Sequence, residues 1–74
     1  EMKIRLTKAD DVREFVRDAR KCEFDVDISY ERAVVDGKSI MGIFALGLDH
    51  PLTVSCHGES QEFRQSMQRF AVEA

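Results

Sequence analysis

The residues from Phe24 to Tyr30 alternate without a break between apolar and polar side chains, in the order Phe-Asp-Val-Asp-Ile-Ser-Tyr. A helix with 3.6 residues per turn cannot place such a series on one face, whereas a β-strand points successive side chains to opposite faces. The segment is therefore predicted to be a strand with one buried face. The short apolar run Ala33–Val35 follows after Glu31 and Arg32, and we expect the two runs to form a hairpin.

Two further segments alternate in the same way and are predicted to be strands. Met2–Leu6 carries an apolar residue at every second position, and so does Leu52–Cys56, which follows the turn-forming sequence Asp-His-Pro. Between the first strand and the hairpin, apolar residues at helical spacing predict a helix from about residue 8 to residue 21. The sequence Thr-Lys-Ala-Asp from Thr7 to Asp10 has the form of a capping box at the start of this helix.

The run from Ile40 to Leu46 is almost wholly apolar, so its periodicity fits either a buried strand or a short helix. We favour a short helix capped by Ser39, because serine is a preferred N-cap residue. A last helix is predicted from about Ser60, with large apolar residues on one face at Phe63, Met67 and Phe70. The predicted order of elements is β-α-β-β-α-β-α.

The chain has 74 residues and is predicted to form one domain over residues 1–74. Four short strands and three helical segments in so small a chain predict an α+β fold. In this fold a four-stranded antiparallel sheet carries the three helices on one face. The apolar positions of the two longer helices each form a single stripe, which allows both helices to lie on that face.

Composition and charge exclude several classes of function. With 43% hydrophobic and 34% charged residues, four glycines and one proline, the chain is predicted to be globular rather than disordered or fibrous. A net charge of -3, with both signs mixed along the chain, argues against nucleic acid and against a membrane surface as partners. No apolar run is long enough to span a membrane and no signal peptide is recognised, so we expect a cytoplasmic protein. Cys22 and Cys56 fit no zinc spacing and are expected to be reduced thiols.

The segment Lys38–Leu48 reads Lys-Ser-Ile-Met-Gly-Ile-Phe-Ala-Leu-Gly-Leu. It resembles the HPr family, the small phosphocarrier proteins of the bacterial sugar phosphotransferase system. The likeness extends from Phe15 through Tyr30 to this segment, and then through Gly58 to Phe70. It implies the family's fold, an open-faced β-sandwich of four strands and three helices, which agrees with the order predicted from the residues.

By this resemblance, the chain keeps one of the family's two phosphorylation sites and lacks the other. Ser39 falls on the regulatory serine, which HPr kinase/phosphorylase modifies in Gram-positive bacteria. The family's phosphocarrier histidine lies in a Gly-x-His-x-Arg-Pro loop before the first helix, whereas the stretch Thr7–Glu14 is shorter and has no Gly, His or Pro. Asp10 and Asp11 would also repel a phosphoryl group at this helix start. We therefore predict no phosphate transfer through this site and no catalytic residue.

Ile40, Met41 and Phe44 fall on one side of the predicted short helix and resemble the apolar patch with which the family docks its protein partners. The alternative is that they pack in the core, but we expect Ile40 and Met41 to be exposed. By resemblance the expected partners are HPr kinase/phosphorylase and proteins of the phosphotransferase system or its regulation. No cofactor is implied, and a monomer is expected.

His50, Cys56 and His57 carry side chains that bind metals. Because Cys56 and His57 would point to opposite faces of one strand, a metal site is not expected. We expect Cys56 to be buried and both histidines to lie exposed in loops. Cys22 follows two basic residues that could make its thiol reactive, but a structural role is favoured because no partner base is evident.

The expected function is that of a regulatory or protein-binding module rather than an enzyme. Two competing functions remain open. One is a phosphocarrier that uses His50 or His57 as a displaced acceptor. The other is an interaction domain that has kept the fold and is no longer tied to sugar transport, because a fold does not determine a function.

Overall fold

The computed structural model of the protein describes residues 1–72. Four strands form one antiparallel sheet, with β1 at Met2–Arg5, β2 at Val26–Tyr30, β3 at Ala33–Asp36 and β4 at Pro51–Cys56. Their spatial order is β1-β4-β2-β3, so the first and last strands along the chain are neighbours and β3 lies at an edge. The predicted four-stranded antiparallel sheet and its hairpin are confirmed.

The register of the sheet follows the alternation of its side chains. Ile28 of β2 lies opposite Val54 of β4 and Val35 of β3, and Ile4 of β1 lies opposite Leu52. These apolar residues share the face that packs in the core. The residues between them along the strands point to the other face, which is mostly polar and includes Lys3, Arg5, Asp27, Ser29, Thr53 and Ser55.

Three helices cover the apolar face: α1 at Ala9–Ala19, α2 at Ile40–Leu46 and α3 at Gln61–Met67, which continues as a 3-10 turn at Gln68–Phe70. The helix predicted for the apolar run after Ser39 is confirmed. The helices and the 3-10 turn share one cluster of buried side chains. Its members from these elements are Val12, Phe15, Val16, Ala19, Ile43, Leu46, Phe63, Met67 and Phe70. Within residues 1–72 no helix is long and apolar enough to cross a bilayer.

Two predicted elements differ from the structure by two residues at one end, and the others by no more than one residue. The first helix is shorter than the predicted 8 to 21, because the chain tightens after Ala19 into bonds that span three residues, such as Cys22 N–H to the Ala19 carbonyl at 3.1 Å. The strand predicted from Phe24 begins at Val26. Phe24 packs instead on Gly58, where its ring leaves no room for a side chain.

Candidate functional site

Ser39 lies at the start of α2, just after the turn that leaves β3. Its backbone is extended, with φ -109° and ψ 112°, and its Oγ accepts a hydrogen bond from the Gly42 N–H at 3.0 Å. The hydroxyl thus satisfies one of the backbone donors that the first turn of a helix leaves unpaired. The predicted N-cap is confirmed, and Ser39 itself is half-buried.

Two glycines determine how α2 packs and where it ends. A Cβ at Gly42 would lie 3.2 Å from both Ser39 Oγ and Val35 Cβ, so the absence of a side chain lets the helix lie close on β3. Gly47 has φ +91°, in the left-handed region that favours glycine, and its N–H donates to the Phe44 carbonyl at 3.1 Å. The chain therefore leaves the helix at this residue.

Two basic side chains hold the backbone next to Ser39. Arg20, just after α1, donates its Nε–H to the Lys38 carbonyl at 3.1 Å, and the Lys38 ammonium donates to the Cys22 carbonyl at 2.9 Å. The Lys38 N–H also donates to Asp36 Oδ1 at 2.9 Å. Within residues 1–72 neither Arg20 nor Lys38 forms an ion pair. Within the described part of the chain, no acidic side chain therefore neutralises these two positive charges.

Met41 and Phe44 form the exposed apolar part of α2, with exposed fractions of 83% and 40%. The exposure expected for Met41 is confirmed. The expectation for Ile40 needs correction, because this residue is half-buried and packs against the core. Ile40 lies three residues before the fully buried Ile43 and so shares its inward side of the helix. We call Met41 and Phe44 the α2 patch, with Ile40 at its margin.

The start of α1 is organised differently from the predicted capping box. The N-cap residue is Lys8, whose side chain makes no capping hydrogen bond. The carboxylate of Asp11 reaches back to Thr7 and accepts both its N–H and its hydroxyl, each at 3.0 Å. Asp10, the predicted partner of Thr7, pairs instead with Arg13 at 2.6 Å. The prediction was thus one residue out of register.

The surroundings of the carboxylates at this helix start favour their charged form. The backbone N–H of Thr7 is the largest cause that lowers the pKa of the Asp11 carboxyl below its ordinary value, and the Thr7 hydroxyl adds to it. Asp10 and Asp11 both lie in the first turn of α1, where the helix dipole favours negative charge. The three residues between β1 and α1 include no histidine. An incoming phosphoryl group would therefore meet carboxylates here and no nucleophilic imidazole.

His50 lies in the loop before β4 but is half-buried, which corrects the expectation that it is exposed. Its ring stacks on Tyr30 at the end of β2, with ring centroids 3.8 Å apart. Nε2 lies 2.9 Å from the Leu46 carbonyl, and Nδ1 lies 3.5 Å from the Pro51 carbonyl. Both ring nitrogens thus face backbone carbonyl groups.

His57 and Cys56 point to different surroundings, as predicted. His57 is exposed, and its Nε2 lies 2.8 Å from Asp27 Oδ2 on the outer face of the sheet. Cys56 packs against the core but is half-buried, whereas we expected it to be buried. Within residues 1–72 no group of three or more His, Cys, Asp or Glu side chains is placed to hold a metal ion.

Burial is the largest cause that raises the pKa of the Cys22 thiol and of the Cys56 thiol above their ordinary value. Both thiols are therefore protonated at neutral pH, and protonated thiols are poor nucleophiles. Cys22 is also buried, which supports the structural role favoured for it.

Three contacts of the site could not be predicted from the sequence: Arg20 with the Lys38 carbonyl, His57 with Asp27, and His50 with Tyr30. In each of them the two residues come from different parts of the chain. A basic residue near the end of the first helix is visible in the sequence, but no spacing links Arg20 to a serine after β3.

Comparisons with known proteins agree with this architecture. A family model described as the PTS HPr component phosphorylation site matches residues 7–72. The structure of HPr-C-His from Thermoanaerobacter tengcongensis is similar at 25% identity and a TM-score of 0.74, over 88% of this chain and 82% of that chain. A phosphocarrier protein HPr from Bacillus anthracis str. Ames shares the fold at 22% identity and a TM-score of 0.75, over 95% of this chain and 93% of that chain.

A comparison with curated protein sequences finds no match. The family model nevertheless spans both the start of α1 and the segment around Ser39. The chain therefore belongs to the HPr family of the phosphotransferase system.

Proposed function

We propose that the protein is a regulatory, protein-binding member of the HPr family that receives a phosphoryl group on Ser39 and carries none on a histidine. The observation that carries this proposal is the place of the Ser39 hydroxyl. It lies at the start of α2, beside two cations without ion-pair partners in the described chain, and next to the α2 patch.

The charges around Ser39 favour a phosphate there. A phosphoserine carries about -1.5 to -2 charges at neutral pH and three strong acceptor oxygens. Arg20 uses Nε to bind the Lys38 carbonyl, which leaves its other two nitrogens to donate to phosphate. The phosphate would replace the hydrogen bond from the Gly42 N–H with contacts to these cations. We therefore expect the fold to tolerate the modification.

The effect of modification is expected on docking at the α2 patch. A partner that covers Met41 and Phe44 would have to remove water from a phosphate close beside them, and burial of an unpaired charge is unfavourable. Binding should therefore weaken for a partner with an apolar surface and strengthen for one that offers arginine to the phosphate. The partners proposed from the family are HPr kinase/phosphorylase and proteins of the phosphotransferase system or its regulation.

The start of α1 supports the other half of the proposal. Phosphate on a histidine before a helix would be held by free backbone N–H groups and by the positive end of the helix dipole. Here the carboxylates of Asp10 and Asp11 lie at the positive end of the helix dipole, and Lys8 occupies the N-cap position. Asp11 is itself held in place by two hydrogen bonds from Thr7.

The test is incubation with HPr kinase/phosphorylase and ATP, in which Ser39 Oγ attacks the γ-phosphorus and releases ADP and the hydroxyl proton. Wild type, Ser39→Ala and Ser60→Ala are then compared by phosphopeptide mapping. Ser60 is a matched control because it is also half-buried and, as N-cap of α3, accepts the Phe63 N–H at 3.1 Å.

We expect label in wild type and in Ser60→Ala, and none in Ser39→Ala. Equal labelling of Ser39→Ala and wild type rejects Ser39 as the acceptor. Titration of a captured partner with modified and unmodified protein follows. If the affinity for the partner is the same after full modification, Ser39 acts only as a helix cap and modification does not regulate binding.

A second candidate function is phosphate carriage on a displaced histidine, and the contact between His57 and Asp27 favours His57 for it. A carboxylate 2.8 Å from Nε2 orients the ring and leaves Nδ1 as the nucleophile. His50 is less suitable because both its nitrogens face carbonyl groups. The negative surroundings of His57 argue against it, because Asp27 lies directly opposite Asp36 in the sheet.

Incubation with enzyme I and phosphoenolpyruvate separates the two functions. Acid-labile label that is lost in His57→Ala but kept in His50→Ala would establish the second candidate and overturn the claim that no histidine carries phosphate. Absence of label in this experiment and in the kinase experiment would favour the interaction domain no longer tied to sugar transport.

A further inference from the structure

We propose that Arg20 and Lys38 are positioning residues for phosphoryl transfer to Ser39. Their side chains join the end of α1 to the peptide group that precedes the serine, and so hold the Ser39 hydroxyl in a fixed position before the reaction. This inference rests on the function proposed above, in which Ser39 Oγ attacks the γ-phosphorus of ATP and releases ADP and the hydroxyl proton.

Two hydrogen bonds run in opposite directions between the end of α1 and residue 38. Arg20 donates its Nε–H to the Lys38 carbonyl at 3.1 Å, and the Lys38 ammonium donates to the Cys22 carbonyl at 2.9 Å. Each of the two segments thus binds the backbone of the other. Both donors are positively charged, which makes such bonds stronger than those between neutral groups. We call these two hydrogen bonds the Arg20–Lys38 clamp.

The α1 side of the clamp is itself anchored. The Arg20 N–H donates to the Val16 carbonyl at 2.9 Å, and the Cys22 N–H donates to the Ala19 carbonyl at 3.1 Å. The side chains of Val16, Ala19 and Cys22 are buried in the core. The clamp therefore ties residue 38 to a part of the chain whose position the core determines.

The peptide group between Lys38 and Ser39 is held at both of its polar atoms. Its carbonyl accepts the Arg20 Nε–H, and its N–H, which belongs to Ser39, donates to the Asp36 carbonyl at 3.0 Å. A peptide group is planar, so bonds at its two ends fix the orientation of the whole group. That orientation determines where the Cα of Ser39 lies.

On its other side, Ser39 is held by α2. Its carbonyl accepts the Ile43 N–H at 3.1 Å, and its Oγ accepts the Gly42 N–H at 3.0 Å. These two bonds come from the helix itself and move with it. Arg20, in contrast, lies 18 positions before Lys38 in the chain. The clamp therefore fixes Ser39 relative to another helix of the domain.

Phosphoryl transfer depends on the position of the attacking oxygen. The bond from Oγ to phosphorus forms as the bond from phosphorus to the leaving oxygen of ADP breaks, and a misplacement of about 1 Å can slow a reaction on the order of a hundredfold. If the peptide group before Ser39 were free to rotate, Oγ would sample many positions. Loss of the clamp should therefore lower kcat, while KM changes little.

Arg20→Gln and Arg20→Met separate the hydrogen bond from the positive charge. The side-chain nitrogen of glutamine is as many bonds from Cα as Nε of arginine, so it can still donate to the Lys38 carbonyl, whereas methionine has a methyl group there. Both variants lack the guanidinium charge. In the reaction with HPr kinase/phosphorylase and ATP, we expect kcat of Arg20→Met to be roughly tenfold below that of Arg20→Gln, with similar KM.

Two further variants complete the comparison. Lys38→Met removes the second bond of the clamp and should also lower kcat. Lys21→Met is the matched control, because it removes a positive charge from the residue next to Arg20, whose ammonium lies 4.0 Å from the Asp18 carboxylate. Lys21→Met should react like wild type.

Hydrogen exchange tests the clamp without the kinase. The Ser39 N–H should exchange faster in Arg20→Met than in Arg20→Gln, because one of the two bonds that orient its peptide group is lost. The Phe63 N–H bonds to Ser60 Oγ at the start of α3. It should exchange equally in both variants, which shows that both are folded.

Three results would overturn the inference. One is an equal kcat for Arg20→Gln and Arg20→Met with labelled wild type, which leaves the function proposed for Ser39 intact. Another is faster exchange of the Ser39 N–H in Arg20→Met with no fall in kcat, because the clamp then serves the fold and not the transfer. The third is a wild type that receives no label, which would overturn the function proposed for Ser39 as well.

Discussion

The imidazole of His50 stacks on the phenol ring of Tyr30, with centroids 3.8 Å apart and ring planes inclined by 36°. The same imidazole places Nε2 2.9 Å from the carbonyl of Leu46, the last residue of α2. One side chain therefore joins the end of the helix that carries the α2 patch to the end of β2. The packing of α2 on the hairpin depends in part on this residue.

His50→Ala should lower the free energy of unfolding by about 1–2 kcal/mol, because it removes a stacked ring and a partner of the Leu46 carbonyl. Urea unfolding measures the change. His57→Ala is the matched control, because that imidazole is exposed and its pair with Asp27 should contribute no more than about 1 kcal/mol. Equal losses in the two variants would contradict a structural role for the stacking.

Phe15→Ala should lower the free energy of unfolding by about 3–5 kcal/mol, since the side chain is 1% exposed and meets Phe63 edge to face with centroids 5.8 Å apart. Phe44→Ala removes the same ring from the α2 patch and should lower it far less. A loss below about 1 kcal/mol for Phe15→Ala in urea would mean that the core is not packed around this ring.

Asp11 should make the stability depend on pH in the acid range. Its folded-state pKa lies below the ordinary value of 3.8, so the stabilisation is present above that value and is lost as the pH falls through the folded-state pKa. Wild type should therefore exceed Asp11→Asn in stability at neutral pH, and the difference should shrink on acidification. Thr7→Ala keeps the backbone N–H, the largest cause of the shift, and should retain part of the dependence.

The acid experiment follows the denaturation midpoint in urea at several pH values for wild type, Asp11→Asn and Thr7→Ala. A constant difference between wild type and Asp11→Asn at every pH would show that the carboxylate charge is not what stabilises the start of α1.

Met41→Asp should weaken binding of a partner that docks on the α2 patch by at least tenfold, because a charge would replace an exposed apolar contact. The free energy of unfolding should change by less than about 0.5 kcal/mol, since Met41 is 83% exposed. Ile43→Ala, at a fully buried position two residues further along the helix, should instead lower the free energy of unfolding by about 2–5 kcal/mol. Normal binding by Met41→Asp would exclude this part of α2 from the interface.

Lys8→His should not create a phosphocarrier. The variant places an imidazole at the N-cap of α1, but the carboxylates of Asp10 and Asp11 remain in the first turn. We expect no acid-labile label after incubation with enzyme I and phosphoenolpyruvate. Label on Lys8→His would contradict this expectation and show that the two carboxylates do not prevent phosphorylation of an imidazole at this position. The triple variant Lys8→His, Asp10→Asn, Asp11→Asn tests whether the two carboxylates prevent phosphorylation of the new imidazole.

Local patterns in the sequence predicted the kind and order of the elements. The alternation from Phe24 to Tyr30, the helical spacing around Phe15 and the serine before the apolar run each depend on residues a few positions apart. Backbone geometry alone relates such residues, because a strand repeats every two residues and a helix every 3.6. For the same reason the capping role of Ser39 could be predicted from the sequence.

The start of α1 shows where local pattern reaches its limit. The sequence predicts a capping box from Thr7 to Asp10, yet the carboxylate that bonds to Thr7 is that of Asp11. The residue at which the helix begins depends on how Val12 and Phe15 pack in the core. If the helix begins one residue earlier or later, a different side chain points toward the cap. The half-buried position of Ile40 has the same origin, because the core sets the rotation of α2 about its axis.

The sequence by itself determined the α+β class, the order of the strands and helices, the family likeness and the position of Ser39 at a helix start. Only the tertiary structure placed Arg20 on the Lys38 carbonyl, His57 on Asp27 and His50 on Tyr30. These contacts join residues far apart in the chain. Their formation depends on the docking of whole elements through the buried core, which no short segment of sequence specifies.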